Sequence, residues 1–460
     1  MCEVNDFKID LEGIRKSFRF DKKINHSHGE KYKLLPYKTK DANIVNDFSG
    51  VIGSISRLIS NKKLNDEFKV EEFIEEVADN IGEYQGDTNR EYFKDIIRTM
   101  FIDNDNLVNF DIKTINYIKS TSDDEKIANF IYSVLFNEDI KNDVRLYYDK
   151  KVENIMYNLV LKSLPKLEEK EVPLGQYKCY LPFVREQFIK DFRFLLSKEE
   201  LYKDSLKRFI EYYYMFYVSQ LIMKLENFEK ADITKPDKLY YTLDWEKTGK
   251  TRTAYQFGWE KIKNNVYSLF SHAIVLELLN HNNMEEQLGY KDLEQLFSNS
   301  NKESIDKEIQ CIINDYKNAV NDIDWTKFKK SNKQSSVNGF NLIYELFDIV
   351  RYQFENSSRS GPNRGYGNWF VKYVEKNFAK RRGPLGYNLN MTEDDIILMT
   401  KICINNNEKL KLNELFEEFE LRGLFFDRDS KTKIVELYEK LNLLEKKSDS
   451  GDAQYVKSVL

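Results

Sequence analysis

The sequence predicts a mainly α, multi-domain helical protein that ends in a winged helix with a small β-hairpin wing. Three observations carry that prediction. Apolar residues recur at helical spacing along much of the chain, as in Phe73-Ile74-Val77, Tyr92-Ile96-Ile97-Met100 and Ile127-Phe130-Ile131-Val134-Leu135. Only 7 Pro and 18 Gly punctuate 460 residues, which favours long helices over loop-rich architecture. The last stretch, Met391–Leu460, reads as helix, short strand, helix, helix and hairpin, with caps and breakers between them.

In chain order, residues 1 to about 50 are polar, with weak strand alternation at Phe7–Leu11 and Ser17–Phe20. From Ile52 to Leu159 the pattern is helical, so 1–165 is expected to be an N-terminal, mostly helical domain. Pro165, Pro173, Gly175 and Pro182 mark a break at roughly 163–185. Helices are then expected at Phe188–Leu196 and Tyr202–Phe228. The second is apolar on nearly every face and should be the buried centre of a helical domain spanning 186–350. Leu239–Leu243 is strand-like, and Tyr255–Leu279 reads as one helix. Asn356–Gly367 is expected to be a break. Residues 351–390 form a basic connector rich in Gly and aromatics, with eight Lys+Arg against two Glu. The aromatics Tyr366, Trp369, Phe370 and Tyr373 have helical spacing, which predicts packing inside.

The final domain, 391–460, opens on Thr392 and Asp395, a capping-box pair. Lys409–Leu412 is strand-like, and Asn413 is placed to cap a second helix through Leu415, Phe416 and Phe419. Gly423 stands where a left-handed residue closes that helix. Asp427, Asp429 or Ser430 caps a third helix with the stripe Ile434, Leu437, Tyr438 and Leu441. Leu443–Lys447 and Ala453–Leu460 form the hairpin around a turn at Ser448–Asp452. Winged helices often place the third helix in the DNA major groove. Here 11 Lys+Arg face 15 Asp+Glu across Met391–Leu460, a balance that favours docking on a protein over reading a groove.

Composition narrows the function classes. Net charge is −5, with 32% charged residues, which excludes a broadly basic nucleic-acid coat but not a local patch. Cys2, Cys179, Cys311 and Cys403 are far apart and form no C-x-x-C pair, as expected of reduced thiols. The start of the chain has no apolar signal segment, and Tyr212–Met223 is too short and too polar to span a bilayer. A cytoplasmic protein without membrane contact is expected.

Motifs for chemistry are weak. Thr248-Gly249-Lys250-Thr251 lacks the first glycine of a phosphate-binding loop, whose place Asp244 holds. Asp244, Glu246, Lys250 and Arg252 are expected to be surface structure, as an ion-pair network or partner site. His26-Ser27-His28 is expected in a solvated loop, without the carboxylate spacing of a metal site. Asp111-Ile112-Lys113 fits the short half of a metal-nuclease pattern, a match that a chain this rich in Asp, Glu and Lys produces by chance. No catalytic residue, metal ligand or cofactor is assigned. The candidate nucleic-acid or partner contacts are Arg359, Arg364, Arg381 and Arg382 in the basic stretch, and Lys431, Lys433, Lys446 and Lys447 in the last domain.

Several segments also carry a resemblance. Leu443–Val456, Gly423–Ser430, Lys380–Gly386, Thr242–Glu246, Arg252–Tyr255 and the Tyr-rich run Tyr212–Leu221 together resemble the DptG family of DNA phosphorothioation-dependent restriction proteins, over about residues 200–460. The resemblance implies a bacterial defence role. In such systems one gene set replaces a backbone phosphate oxygen of host DNA by sulfur, and a restriction set attacks DNA without that mark. It implies the partners DptF and DptH, the ATP-driven components, and supplies no catalytic residues. The expectation is therefore a non-catalytic adaptor, engaging DNA directly or through the complex. The alternatives are a divalent-metal nuclease with an unrecognised site and a stand-alone winged-helix regulator.

Overall fold

The helix Glu199–Leu225 organises the molecule, because every residue from Phe209 to Leu225 is buried. The computed structural model describes residues 7–40, 42–65, 68–81, 83–446 and 454–459. An all-round apolar helix has no wet side and must be surrounded. Phe188 and Phe192 of the preceding helix, Pro182–Ser197, pack their rings on Phe209, with Phe188 also on Tyr213. Tyr214 meets Phe48 and Tyr373, and its hydroxyl shares a 2.6 Å hydrogen bond with Tyr37. The Tyr212 hydroxyl donates to the Arg422 carbonyl. Distant parts of the sequence thus converge on one helix.

The protein is mainly helical, as expected, and no helix among the described residues is long and apolar enough to cross a membrane. The main apolar cluster runs from Phe7 to Val456 and draws on all four expected segments. A second cluster, of Phe73, Ile74, Val77, Ile97, Phe101, Phe110, Val160 and Leu164, lies wholly within the first of them.

Several local expectations are corrected. Leu11–Phe18 is a helix that takes in the end of one weakly strand-like run, Phe7–Leu11, and the start of the other, Ser17–Phe20; Asp10 caps it by accepting from the Gly13 N–H, and Ile14 and Phe18 are its buried face. Tyr255–Leu279 is broken into Thr253–Gln256, Trp259–Ile262, a 3-10 turn and Leu269–Asn280. The Phe257 carbonyl accepts from the Tyr240 N–H at 3.0 Å, outside the helical ladder. The expected break at Asn356–Gly367 is largely helix, since Ser360–Asn377 begins inside it. Gly365 is required there because a Cβ would collide with the Thr39 carbonyl. Its aromatics Tyr366, Trp369, Phe370 and Tyr373 are buried as expected. Of the stripe Tyr92-Ile96-Ile97-Met100, only Ile97 is buried, while Tyr92, Ile96 and Met100 face outward. His26-Ser27-His28 is not a solvated loop: His26 is buried, with its Nε2 2.7 Å from the Tyr316 hydroxyl and 2.9 Å from Gln353 Oε1.

Two small sheets hold the parts of the chain that carry most of the candidate contacts. Thr242–Leu243 pairs in parallel with Tyr387–Met391, which pairs antiparallel with Ala379–Arg381. At the C-terminus, Gln454–Lys457 lies between Lys409–Lys411 and Leu444–Lys446, antiparallel to both. The helices of this end are Glu393–Ile404, Leu412–Leu421 and Arg428–Lys440. The Thr392–Asp395 capping box is formed. Gly423 is left-handed at φ 79° and lies against Phe216. Asn413 does not cap its helix, because the strand runs straight into it and Lys411 takes the cap position. The turn at Ser448–Asp452, with Lys447, lies outside the described residues.

Candidate functional site

The residues singled out between Asp244 and Arg252 meet the start of the last helix. Asp427 caps that helix by accepting from the Ser430 N–H at 3.0 Å. The same carboxylate holds Arg252, whose Nε reaches it at 3.0 Å and whose Nη2 closes a second bond. Arg252 Nη2 also donates to Ser430 Oγ at 2.8 Å, and that hydroxyl donates to Glu246 Oε1 at 2.9 Å. Glu246 Oε2 lies 3.1 Å from Arg252 Nη1, and Oε1 also accepts from the Leu243 N–H. The network is an ion-pair network, but a buried one at an internal junction: Glu246 is 6% exposed and Ser430 0%. Burial alone would raise the Asp427 pKa, yet the Arg252 guanidinium and the Ser430 and Ala254 N–H groups hold it below the ordinary carboxylate range.

The basic hairpin enters the same junction through Arg382. Its Nη1 donates to the Glu246 carbonyl at 3.0 Å, and its Nη2 to the Leu243 carbonyl at 2.6 Å and to Asn390 Oδ1 at 3.1 Å. Burial lowers the Arg382 pKa. Arg382 therefore ties the hairpin to the strand Thr242–Leu243 and has little left for an outside ligand. Lys380 is paired with Asp244. Arg381, next to both, is exposed and carries no ion pair among the described residues, and Lys247, Lys250 and Arg428 share that condition. Four exposed cations thus stand on three segments that converge on Glu246.

No family model matches the chain, and no curated protein matches it.

The other sequence-derived candidates are dispersed. Arg359 lies at the far end of the Ser360–Asn377 helix, where it donates to the Ile24 carbonyl at 2.5 Å. Arg364 is exposed near the same end, about 20 Å of helix from Arg381. Lys431 is paired with Glu420 at 3.1 Å and sits over the Phe416 ring; Lys433 is paired with Glu436 at 2.7 Å. Lys446 belongs to the strand beside Gln454. The outward face of the last helix is Arg428, Asp429, Thr432, Glu436, Glu439 and Lys440, of mixed sign. Asp111 caps a 3-10 helix by accepting from the Lys113 N–H, and Lys113 Nζ donates to the Lys150 carbonyl.

Sequence reading missed Lys247 and Arg428, because each stands among charges of opposite sign that suggest local pairing; only the fold brings their segments to the hairpin of Arg381. It also missed the pairing of Asp427 with Arg252, which are 175 positions apart.

Proposed function

We propose that the chain is a non-enzymatic cytoplasmic adaptor of a DNA restriction assembly of the phosphorothioation-dependent kind, with DptF and DptH as its partners. The setting is supported by the resemblance of the segments given above. The order of the C-terminal elements, with the last strand central in the sheet, supports reading that end as a winged helix. The observation that carries the DNA-contacting role is the rim of exposed cations Lys247, Lys250, Arg381 and Arg428, without ion pairs among the described residues, around a fixed internal network. Cations held on a firm base contact phosphates without reading bases. Against base reading by the last helix stand its N-cap Asp427 and its first-turn Ser430, both bound to Arg252 of the same chain.

The test is anisotropy titration of a labelled duplex over a salt series. With Lys247→Glu, Lys250→Glu, Arg381→Glu and Arg428→Glu combined, affinity should fall and the salt slope should flatten by about 0.9 for each phosphate no longer neutralised. Lys433→Glu should change neither. Equal affinity and slope for the fourfold variant and the native chain would overturn DNA contact at this rim. Failure to co-purify with DptF or DptH from co-expressing cells would overturn the assembly.

A further inference from the structure

A separate group of side chains lies between the N-terminal segment and the buried helix Leu269–Asn280. Glu277 is on the last turn of that helix, and His281 follows it by one residue. The i, i+4 spacing sets both on one face. Glu30 comes from the N-terminal segment. One ligand atom of each lies within 4.8 Å of the others. His281 Nε2 is 3.7 Å from Glu277 Oε1.

The surroundings prepare these groups for a cation. Glu277 is 0% exposed and accepts three backbone N–H groups: Gly29 and Tyr32 on Oε2 and Lys31 on Oε1. A left-handed turn at Gly29 aims those amides at the carboxylate. Each carboxylate oxygen accepts two bonds, so Oε1 keeps a lone pair on the side of His281. Glu30 is exposed, and Ser17 Oγ holds its Oε2 at 2.8 Å. His281 is 2% exposed, yet neither ring nitrogen has a hydrogen-bond partner among the described residues. A buried imidazole with both nitrogens unsatisfied is costly, and such a group calls for an explanation. Phe18 lies edge-on to the ring.

We propose that Glu30, Glu277 and His281 bind a divalent first-row transition-metal ion, with zinc the best match to one imidazole and two carboxylates. Ligand atoms on such an ion stand about 3–4 Å apart, so binding requires only a closure of about 1 Å, which the exposed Glu30 side chain supplies. The ion clamps the N-terminal segment onto the Leu269–Asn280 helix and leaves a solvent-facing coordination position beside Glu30.

The experiment is equilibrium dialysis of the full chain against micromolar zinc, with metal counted by mass spectrometry, and zinc-edge absorption for ligand type. The expected result is one zinc per chain in an oxygen and nitrogen shell, and a melting temperature that a chelator lowers. His281→Ala and Glu30→Gln should each weaken binding by about tenfold or more and abolish the chelator effect. Glu30→Gln changes an exposed side chain and leaves the fold in place, so it decides the matter even if Glu277→Gln does not fold. No retained zinc, a sulfur shell that places the metal on cysteine, or variants that bind zinc as tightly as the native chain would overturn the proposal.

Discussion

Two outlying regions of this protein are joined to the central helix in opposite ways. The C-terminal end, from Glu393 onward, is tied to the body by charges taken out of water. Arg422 and Asp191 are both fully buried, with Nε–Oδ2 at 2.6 Å and Nη2–Oδ1 at 2.7 Å, and Tyr213 donates to the same carboxylate. Arg208 holds Asp395 with Nη2–Oδ2 at 2.8 Å, and Arg252 holds Asp427. The region around Phe73 and Phe101 is the reverse. It has its own small apolar cluster, and ion pairs such as Arg98 with Glu71 and Lys94 with Glu75 lie on its surface. Its outward helix face exposes Tyr92, Ile96 and Met100. Buried pairs demand their partners, whereas exposed ones contribute little. The C-terminal end is therefore expected to behave as part of the body, and the Phe73 region as an attached unit that opens at lower free energy.

The largest effect that would break this contrast is at Arg422. Arg422→Met leaves Asp191 charged in an apolar core and should cost about 3–5 kcal/mol of global stability, read from urea unfolding. Changing both residues to Leu should recover part of the loss. Next is Phe101→Ala, whose cost of about 3–5 kcal/mol should appear as lost amide protection in Val70–Asp79, Asp87–Phe101 and Ile155–Lys162 alone, the helices of the smaller cluster. Loss of protection across the main core as well would merge the two regions.

A graded effect concerns pH. Burial pulls the His26 imidazole down to about 3, with Arg359 and His28 adding to the shift and the hydrogen bond to Gln353 opposing it. Arg359, His28, Gln353 and the Tyr316 hydroxyl are the polar groups that face it. The folded pKa lies below the ordinary 6.5, so the unfolded chain takes up the proton first. Stability is present above 6.5 and falls toward pH 3, by up to about 1.4 kcal/mol per pH unit for this one group. His26→Gln should flatten that limb in urea midpoints measured across the range. The smallest effect is at Arg98, where Arg98→Ala should leave the urea midpoint unchanged within error.

The contrast also shows what was legible in the sequence. Caps and helical stripes near the C-terminus were readable because each depends on neighbours within four positions, as Thr392 with Asp395 and Ile434 with Leu437 and Tyr438. The burial of Tyr212–Leu221 was readable from its all-round apolar composition. The ion pairs that fuse the ends were not, since Asp191 and Arg422 are separated by 231 positions and look like surface charges in isolation. His26 read as solvent-exposed because polar neighbours hide that Tyr316 and Gln353 enclose it. The candidate rim was half legible: the basic hairpin drew attention to Arg381 and Arg382, but only the structure shows that Arg382 is consumed internally.

The most direct test is native-state hydrogen exchange followed residue by residue in increasing denaturant. Amides of Glu393–Ile404 and Arg428–Lys440 should open only with the global transition that exposes Glu199–Leu225, while those of Val70–Asp79 and Asp87–Phe101 open at lower free energy. Exchange of the C-terminal helices before the central helix would contradict a fused C-terminus, and with it the fixed base on which the cation rim stands.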